Sequence, residues 1–320
     1  MSKLLIGLLS ALVSTNQPAA VSNLVEKTTG VSVEIPNPND PVEMEYLKLL
    51  AEDDAAQTEV DQWIQEDRSS TNRSPTLTLK IEQRFATVKK GYKDFLQRNP
   101  KHVRAHLAYG SFLQEIREEE EGVKHWEKAR EIDPKNPAAW NNLANYYGHH
   151  SPVEKSFEYY AKAIELNPSE PVYYWNFATT VYLFRKHAMD FYKIDETQVF
   201  DKALDLYRQA MKLSPNDFVL ATDYAQSFYG TKPPRYKEGL AAWTDVMKLA
   251  RDDVEREGVR IHLARINWKL NNFDEARKQL NAITDEMYSI TKTRLLRNID
   301  ESEKKSDQTN TIPSAAIEQK

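Results

Sequence analysis

Two pairs of histidines have a spacing that could support metal chemistry. His102 and His106 are four residues apart, which places two ligands on one face of a helix. The residues between them are Val, Arg and Ala, so the glutamate of a zinc-hydrolase motif is missing. His149 and His150 are neighbours and therefore point in different directions on a helix. We interpret all four as packing or helix-end residues, and we predict neither a metal site nor a cofactor.

Other catalytic motifs are missing from the sequence. The chain has no cysteine, which excludes disulfides, thiolate metal sites and a cysteine nucleophile. It also lacks a Gly-x-Ser-x-Gly elbow and a Gly-rich phosphate loop. The acidic run at 117–122 could form a docking patch, but carboxylates at a helix start also stabilise its positive end, and we favour that account. We therefore predict that the protein is not an enzyme.

The composition is that of a soluble helical protein. Hydrophobic residues make up 40% and charged residues 28% of the 320 positions, which is ordinary for globular proteins. Only 9 glycines are present, too few for a β protein rich in tight turns. The formal net charge of −5 gives no reason to expect nucleic acid, because nucleic-acid binders usually carry a basic stripe.

Residues 1–22 have the pattern of a secretory signal peptide. A short positive start precedes the apolar run 4–13, and Ala20 and Ser22 fit the small-residue rule for cleavage after Ser22. The apolar run is far shorter than the roughly 20 residues of a membrane-spanning helix, so we predict no integral membrane span. The expected location is the periplasm or the medium. If the segment is instead an amphipathic or disordered stretch, the location is cytoplasmic.

The region after this segment is predicted to contain a linker and a helical hairpin. Residues 23–42 contain three prolines and no helical periodicity, which is typical of a linker. Apolar residues then recur at helical spacing over about 43–66 and 76–97, with a polar break at 67–75. We predict an N-terminal helical hairpin, or degenerate repeat, over 43–100.

Beyond residue 100 the chain repeats itself. A breaker, Pro or Asn-Asp, opens each helical segment, and a small residue stands in its middle. Gly110, Ala144 and Ala178 follow one another at intervals of 34 residues. A second helical segment follows in each unit, and three of these segments end in a proline: Pro134, Pro168 and Pro215. Each unit is therefore a pair of helices.

This pattern resembles the tetratricopeptide repeat, a helix–turn–helix unit of 34 residues. That family carries a small residue at position 8, a large one at 24 and a small apolar one at 27. Five units between 103 and 283 fit these columns, and they start at Val103, Pro137, Pro171, Phe218 and Glu257. The resemblance implies an all-α, right-handed α-solenoid whose stacked units share a core. Residues 284–299 would form a capping helix, and 300–320 a disordered tail.

The third unit is longer than the family pattern. Its small second-helix residue, Ala203, comes 13 residues later than the spacing requires, which predicts an insertion near 186–199. Long ordered loops are uncommon in compact arrays unless they are functional. The stretch 189–192, MDFY, could fold over the binding groove or pack on the convex side.

The resemblance also implies a binding site. In this family the first helices line a concave groove, chiefly through positions 2, 5, 6, 9, 12 and 13. In units two to four these positions include amides, hydroxyls and aromatic rings: Asn141, Asn142, Asn145, Trp175, Asn176, Thr179, Tyr182, Thr222, Asp223, Gln226 and Tyr229. Asn142 and Asn176, both at position 6, would hold the backbone of an extended peptide, because an amide both donates and accepts. The family's carboxylate clamp needs basic residues where Val172 and Asn176 stand, so we do not expect that variant.

We therefore predict a non-catalytic interaction scaffold that binds an extended peptide segment of a partner protein in this groove. Two alternatives stay open. One is a structural assembly factor that self-associates through its convex face or capping helix, and the other is an accessory subunit of a separate enzyme. The sequence leaves the identity of the partner and the oligomeric state open.

Overall fold

The computed structural model describes residue 37 and residues 40–69 and 75–310, and within these ranges every regular element is helical. The all-α prediction is confirmed. None of the helices described is both long and apolar enough to cross a bilayer. The predicted signal peptide, most of the predicted linker and residues 311–320 lie outside the described residues. The chain divides into two units, residues 1–169 and 170–320.

The first unit consists, in its described part, of six helices in successive hairpins. They are α1 (Pro41–Ser69), α2 (Leu77–Arg98), α3 (Val103–Glu115), α4 (Glu119–Ile132), α5 (Pro137–His149) and α6 (Glu154–Leu166). Helix α1 begins two residues before the predicted start at residue 43. Asp40 Oδ1 accepts a hydrogen bond from Val42 N at 2.8 Å, which satisfies a free N–H at this helix start. Proline suits the first helical position because its missing N–H would have no partner there.

Helices α1, α2 and α3 pack through aromatic rings around a buried carboxylate. The ring of Tyr92 stacks on Tyr109 with centroids 4.9 Å apart. Its hydroxyl donates to Asp53 at 2.6 Å. Burial raises the pKa of Asp53, while hydrogen bonds from Tyr92 and Gln57 act in the opposite direction. Because a buried carboxylate is costly unless it is hydrogen-bonded, the Tyr92 donor links α2 to α1, while Gln57 supports Asp53 from within α1.

The repeat columns form the cores between paired helices. At position 8, the alanines of units two to five are fully buried: Ala144, Ala178, Ala225 and Ala264. The large residues at position 24 are buried as well: Trp126, Tyr160, Tyr207, Trp243 and Leu280. At Gly110 there is no room even for a methyl group, since a Cβ would lie 2.4 Å from Trp126 Nε1 and 2.9 Å from the Gly122 carbonyl oxygen. The small and large residues are therefore needed for close helix approach.

The second unit contains eight helices and one 3₁₀ turn among the described residues. They are α7 (Pro171–Leu183), α8 (Arg185–Tyr192), α9 (Glu196–Leu213), α10 (Phe218–Ser227), α11 (Tyr236–Leu249), α12 (Asp253–Lys269), α13 (Phe273–Asn281), the turn Glu286–Tyr288 and α14 (Ser289–Asn310). Helix α7 pairs with α9, α10 with α11, and α12 with α13. Acidic side chains cap the first helix of each pair: Glu170, Asp217 and Asp252.

The insertion near 186–199 is helical rather than a loop. It forms α8, eight residues long, and lengthens the start of α9. Lys193, with φ of 56°, ends α8 in the left-handed conformation. Asp195 and Gln198 then form a capping box that starts α9. The segment contacts the second helix of its pair, because the Lys202 amino group of α9 lies 4.2 Å from the centre of the Tyr192 ring. Its placement over the groove or on the convex side stays a prediction.

The C-terminal helix differs from the prediction. A capping helix was expected over 284–299 and a disordered tail from 300 onward, but α14 continues through residue 310. The first part of the expected cap is the 3₁₀ turn instead, with Asp285 accepting a hydrogen bond from Met287 N at 2.8 Å. The disorder predicted for 300–310 is therefore wrong.

Side-chain contacts to α12 and α13 explain the extra length of α14. Arg277 donates to Asp300 at 2.7 Å and also pairs with Glu303. The indole N–H of Trp268 donates to the hydroxyl of Ser302 at 2.9 Å. These partners are 23 or more residues apart in sequence, so no local pattern could indicate them.

Candidate binding surface

The first histidine pair occupies structural positions. His102 Nδ1 accepts a hydrogen bond from Ala105 N at 3.0 Å and caps α3. His106 Nε2 lies 3.1 Å from the carbonyl oxygen of Pro100, and its Nδ1 lies 2.9 Å from Nδ1 of His125. Burial lowers the pKa of His106, and it lowers the pKa of His125 to about 4. Both imidazole rings are therefore neutral near pH 7. Within the described ranges, no three His, Asp or Glu side chains are grouped as metal ligands.

The second histidine pair and the acidic run meet at helix ends. His150 Nδ1 donates to the carbonyl oxygen of Tyr146 at 2.9 Å, and its ring stacks on that tyrosine. His150 Nε2 lies 3.1 Å from Glu119. Glu119, Glu120 and Glu121 occupy the first turn of α4, where carboxylates stabilise the positive helix end. Both features thus have a structural role.

In the first unit, the predicted binding residues are three asparagines of α5. Asn141 is buried, and its amide donates to Asn142 Oδ1 over 3.4 Å. Asn142 and Asn145 are half-buried. Asn145 Oδ1 accepts a hydrogen bond from the Tyr160 hydroxyl at 2.5 Å. Because Tyr160 is the buried residue at position 24, the repeat core itself orients this amide.

In the second unit, the predicted residues lie on α7 and on α10, with Tyr229 just beyond the end of α10, and residues of α12 lie next to them. We name this set the inner surface: Trp175, Asn176, Thr179, Tyr182, Thr222, Asp223, Gln226, Tyr229, His262 and Arg265. The indole N–H of Trp175 on α7 donates to Asp223 Oδ2 on α10 at 2.9 Å. Burial raises the pKa of Asp223, and this hydrogen bond acts in the opposite direction. The two predicted residues are therefore directly bonded.

Two further predicted residues of the inner surface are fixed by close contacts. The hydroxyl of Thr179 donates to the carbonyl oxygen of Trp175 at 3.0 Å and lies 2.9 Å from the hydroxyl of Tyr207. Tyr182 approaches Gly230 so closely that a Cβ there would lie 2.2 Å from the tyrosine hydroxyl. A glycine is thus required opposite Tyr182.

The third part of the inner surface joins α10 to α12. The Tyr229 hydroxyl lies 3.1 Å from His262 Nδ1. The His262 ring stacks on Trp243, with centroids 4.0 Å apart and an angle of 3° between the planes. Burial, with a smaller contribution from the Arg265 charge, lowers the pKa of His262 to about 4, so the ring is neutral near pH 7. The Arg265 guanidinium lies 5.6 Å from the centre of the Tyr229 ring.

Sequence reasoning missed His262 and Arg265. They stand at positions 6 and 9 of the unit that starts at Glu257, the same positions as Asp223 and Gln226 one unit earlier. The repeat positions that predict groove residues in units two to four therefore also indicate both residues in the fifth unit.

A second concave feature lies beside α9. It is an open depression of about 630 Å³ lined by Tyr174, Gln198, Asp201, Lys202, Asp205, Leu206 and Gln209. Lys202 lies against the rings of Phe177 and Tyr192, and burial lowers its pKa. Asp201 accepts a hydrogen bond from Arg235 at 2.6 Å. Because these charged groups have partners within the chain, the inner surface is the stronger candidate.

Comparison with known proteins agrees with the repeat columns. The family described as "TmcB, TPR repeats" matches residues 43–138, which include the N-terminal hairpin. The Photosystem I assembly protein Ycf3 of Rippkaea orientalis is 27% identical over 84 residues, or 26% of this chain. That match spans 49% of the relative, so the chain covers about half the length of Ycf3.

Two solved structures share the fold over most of the chain. The C-terminal part of a TPR repeat-containing protein from Cytophaga hutchinsonii has a TM-score of 0.51 and 10% identity, and the match covers 78% of this chain and 98% of that one. PilF of Pseudomonas aeruginosa has a TM-score of 0.51 and 15% identity, with 78% and 99% covered. At such identities these likenesses concern the fold alone.

Proposed function

We infer that this chain, a tetratricopeptide-repeat protein, acts through protein–protein interaction, and we propose that its inner surface binds an extended segment of the partner. One observation carries the proposal. Three successive first helices, α7, α10 and α12, are joined on this surface by polar contacts between Trp175 and Asp223 and between Tyr229 and His262. Polar side chains of three successive repeat units thus meet in pairs on this surface.

The chemistry of this row suits an extended peptide. Asn176 and Gln226 contribute amides, and each amide can both donate to and accept from a peptide unit. Trp175 and Tyr229 are half-buried aromatic residues of the kind that anchor interfaces. Their hydrogen bonds hold the rings in place before binding, so less side-chain entropy is lost when a partner docks.

We propose that the role is non-catalytic and that it serves the assembly of a larger protein complex. The relative Ycf3 is called a Photosystem I assembly protein. The titratable groups of the inner surface also have structural partners, since Asp223 is bonded to Trp175 and His262 to Tyr229.

The test is a direct binding measurement. Random 12-residue peptides displayed on phage are selected on the full chain, and an enriched peptide is synthesised with a fluorescent label. Fluorescence anisotropy then compares the wild type with the double variant Asn176→Ala and Gln226→Ala, which removes two amides of the inner surface. Two lost hydrogen bonds of about 1 kcal/mol each predict an affinity about 10- to 100-fold weaker.

A matched variant controls for the loss of two amides. Asn216→Ala and Asn281→Ala remove two exposed asparagines outside the inner surface. This control should bind the peptide as the wild type does, and far-ultraviolet circular dichroism should report the same helicity for all three proteins. Unchanged affinity in the Asn176→Ala and Gln226→Ala protein would remove the groove hypothesis.

Self-association is the second candidate function, and an exposed apolar pair favours it. Met287 and Ile290, at the turn and start of α14, are 61% and 82% exposed. Exposed apolar residues at the end of a repeat array can contact a second copy. Light scattering over a range of protein concentrations tests this, and a molar mass that stays at one chain throughout would exclude it.

We also propose that the chain is exported. The support is the signal-peptide pattern of residues 1–22. N-terminal sequencing of the mature protein should begin at Asn23, whereas an intact N-terminus would exclude cleavage.

A further inference from the structure

We propose that Arg265 on α12 binds an acidic side chain of the partner segment, so that the inner surface selects peptides containing aspartate or glutamate. This inference rests on the proposed function and adds to it the chemical class of the partner. It is carried by a cation on the inner surface that has no carboxylate partner in the described part of the chain.

Arg265 differs from other arginines of the second unit. Arg251, Arg256 and Arg277 each form an ion pair with a carboxylate on their own or a neighbouring element. Arg265 instead lies over the ring of Tyr229, with its guanidinium 5.6 Å from the ring centre. A ring attracts a cation through its face but leaves the guanidinium N–H groups available for an anion.

The surroundings of Arg265 keep this positive charge unopposed. Burial and the Arg265 charge lower the pKa of His262, whose ring is neutral near pH 7. The same charge opposes the burial that raises the pKa of Tyr229, to which the Arg265 side chain also hydrogen-bonds. Lys269 follows one turn later on α12, is exposed, and lies with its amino group 4.2 Å from the centre of the Trp268 ring. Residues four apart share a helix face, so two cations point from the same side of α12.

Helix-end stabilisation accounts for Lys269 but not for Arg265. Lys269 is the last residue of α12, where a cation interacts favourably with the helix dipole. That effect falls off beyond the last turn. Arg265 stands one turn further in, where the helix dipole does not account for its charge, and a guanidinium binds a carboxylate well through two parallel hydrogen bonds.

A peptide carboxylate fits this site better than a phosphate polymer does. The inner surface also contains the Asp223 carboxylate, which would repel a chain of phosphates. Nucleic-acid binding relies on many basic contacts, whereas this surface offers one arginine with one lysine nearby. The formal net charge of the whole chain, −5, opposes a polyanion as well.

The test pairs changes in the peptide with changes in the protein. Each acidic residue of the phage-selected peptide is replaced by its amide, and affinities are measured by anisotropy. Loss of one charge-assisted hydrogen-bonded pair predicts about 10-fold weaker binding of the amide peptide to the wild type. Arg265→Gln should bind the acidic and amide peptides equally. Arg265→Lys should retain part of the difference, because it keeps the charge but loses the planar fork.

Arg297→Gln is the matched control, since it removes an exposed arginine of α14 outside the inner surface. It should keep the full difference between the two peptides. A second readout uses the wild type alone: a bound carboxylate at Arg265 should raise the pKa of His262, measured by NMR titration of its ring protons, whereas the amide peptide should not. This readout decides the matter even if Arg265→Gln fails to fold.

The results that would overturn the role of Arg265 differ from those that would overturn peptide binding on the inner surface. If selected peptides bind but contain no acidic residue, or if the amide form binds as tightly, this inference is overturned while groove binding stands. If no peptide can be selected, both fall. If a 20-nucleotide single-stranded DNA binds in an Arg265-dependent way and the peptides do not, the partner is a nucleic acid and the inference is overturned.

Discussion

Replacing Gly110 by alanine tests how closely α3 and α4 approach each other. A Cβ at this position would lie 2.4 Å from Trp126 Nε1 and 2.9 Å from the carbonyl oxygen of Gly122. The Trp126 ring cannot easily move away, because it is 5% exposed and its N–H donates to the Leu107 carbonyl oxygen at 3.1 Å. The substitution must therefore separate the helices or displace the ring.

Two opposing effects set the size of the change. Overpacking a core costs about 1–3 kcal/mol, and straining the indole hydrogen bond costs about 1 kcal/mol more. Alanine in place of glycine within a helix contributes about 1 kcal/mol in the stabilising direction. The steric effect is larger, so we expect Gly110→Ala to lower the free energy of unfolding by about 1–3 kcal/mol.

Urea unfolding followed by circular dichroism measures this change, and a second background isolates its cause. Units two and three combine alanine at position 8 with tyrosine at position 24, as in Ala144 with Tyr160. In a Trp126→Tyr background, Gly110→Ala should therefore cost less than in the wild type, because only the 2.9 Å approach to the Gly122 carbonyl oxygen remains. An increase in stability from Gly110→Ala alone would refute the close approach of α3 and α4.

Three further predictions follow from particular contacts. Trp126→Ala should lower the free energy of unfolding by about 3–5 kcal/mol, and a negligible loss would mean that the position-24 column is wrong. His262 has a pKa of about 4 in the folded state, below its ordinary value of 6.5, so the unfolded state takes up its proton first. Stability should therefore fall by about 2–3 kcal/mol as the pH drops from about 6.5 to about 4, and His262→Asn should flatten that slope in pH-dependent urea unfolding. Arg277→Ala should speed amide hydrogen exchange in α14 around Asp300, and unchanged exchange there would show that this arginine does not hold the helix.

The repeat packing could be predicted from the sequence because its signals are local and periodic. A small residue at position 8 and a large one at position 24 recur with each helix pair, and the burial of Ala178 against Tyr207 is the direct outcome. Close approach of two helices needs small side chains wherever they cross, so the same residue types must return in every unit. The all-α fold follows from the same pattern.

The C-terminal helix and the insertion could not be predicted because their contacts are distant in sequence. Polar composition after residue 300 favoured disorder, yet Asp300 and Ser302 bind residues of α13 and α12. In the insertion, the capping box of Asp195 starts a helix within a stretch that has no counterpart in the repeat. Tertiary partners thus decided the structure of both segments.

The contacts among the candidate binding residues could not be predicted from the sequence. Repeat positions identified Trp175, Asp223 and Tyr229, but nothing in the spacing indicated that Trp175 donates to Asp223. That hydrogen bond depends on how α7 and α10 pack, which spacing alone does not determine. Arg265 was not predicted for a different reason: the groove positions were applied to units two to four only, and Arg265 lies in unit five.

Site-specific photo-cross-linking tests the central claim most directly. A diazirine amino acid is placed at Gln226 on the inner surface or at Gln209 in the depression beside α9; both glutamines are exposed. The phage-selected peptide is then added to each full-length protein and irradiated. Binding along the inner surface predicts a cross-linked product with the probe at position 226 and none with the probe at position 209. A product at position 209 and none at position 226 would contradict it.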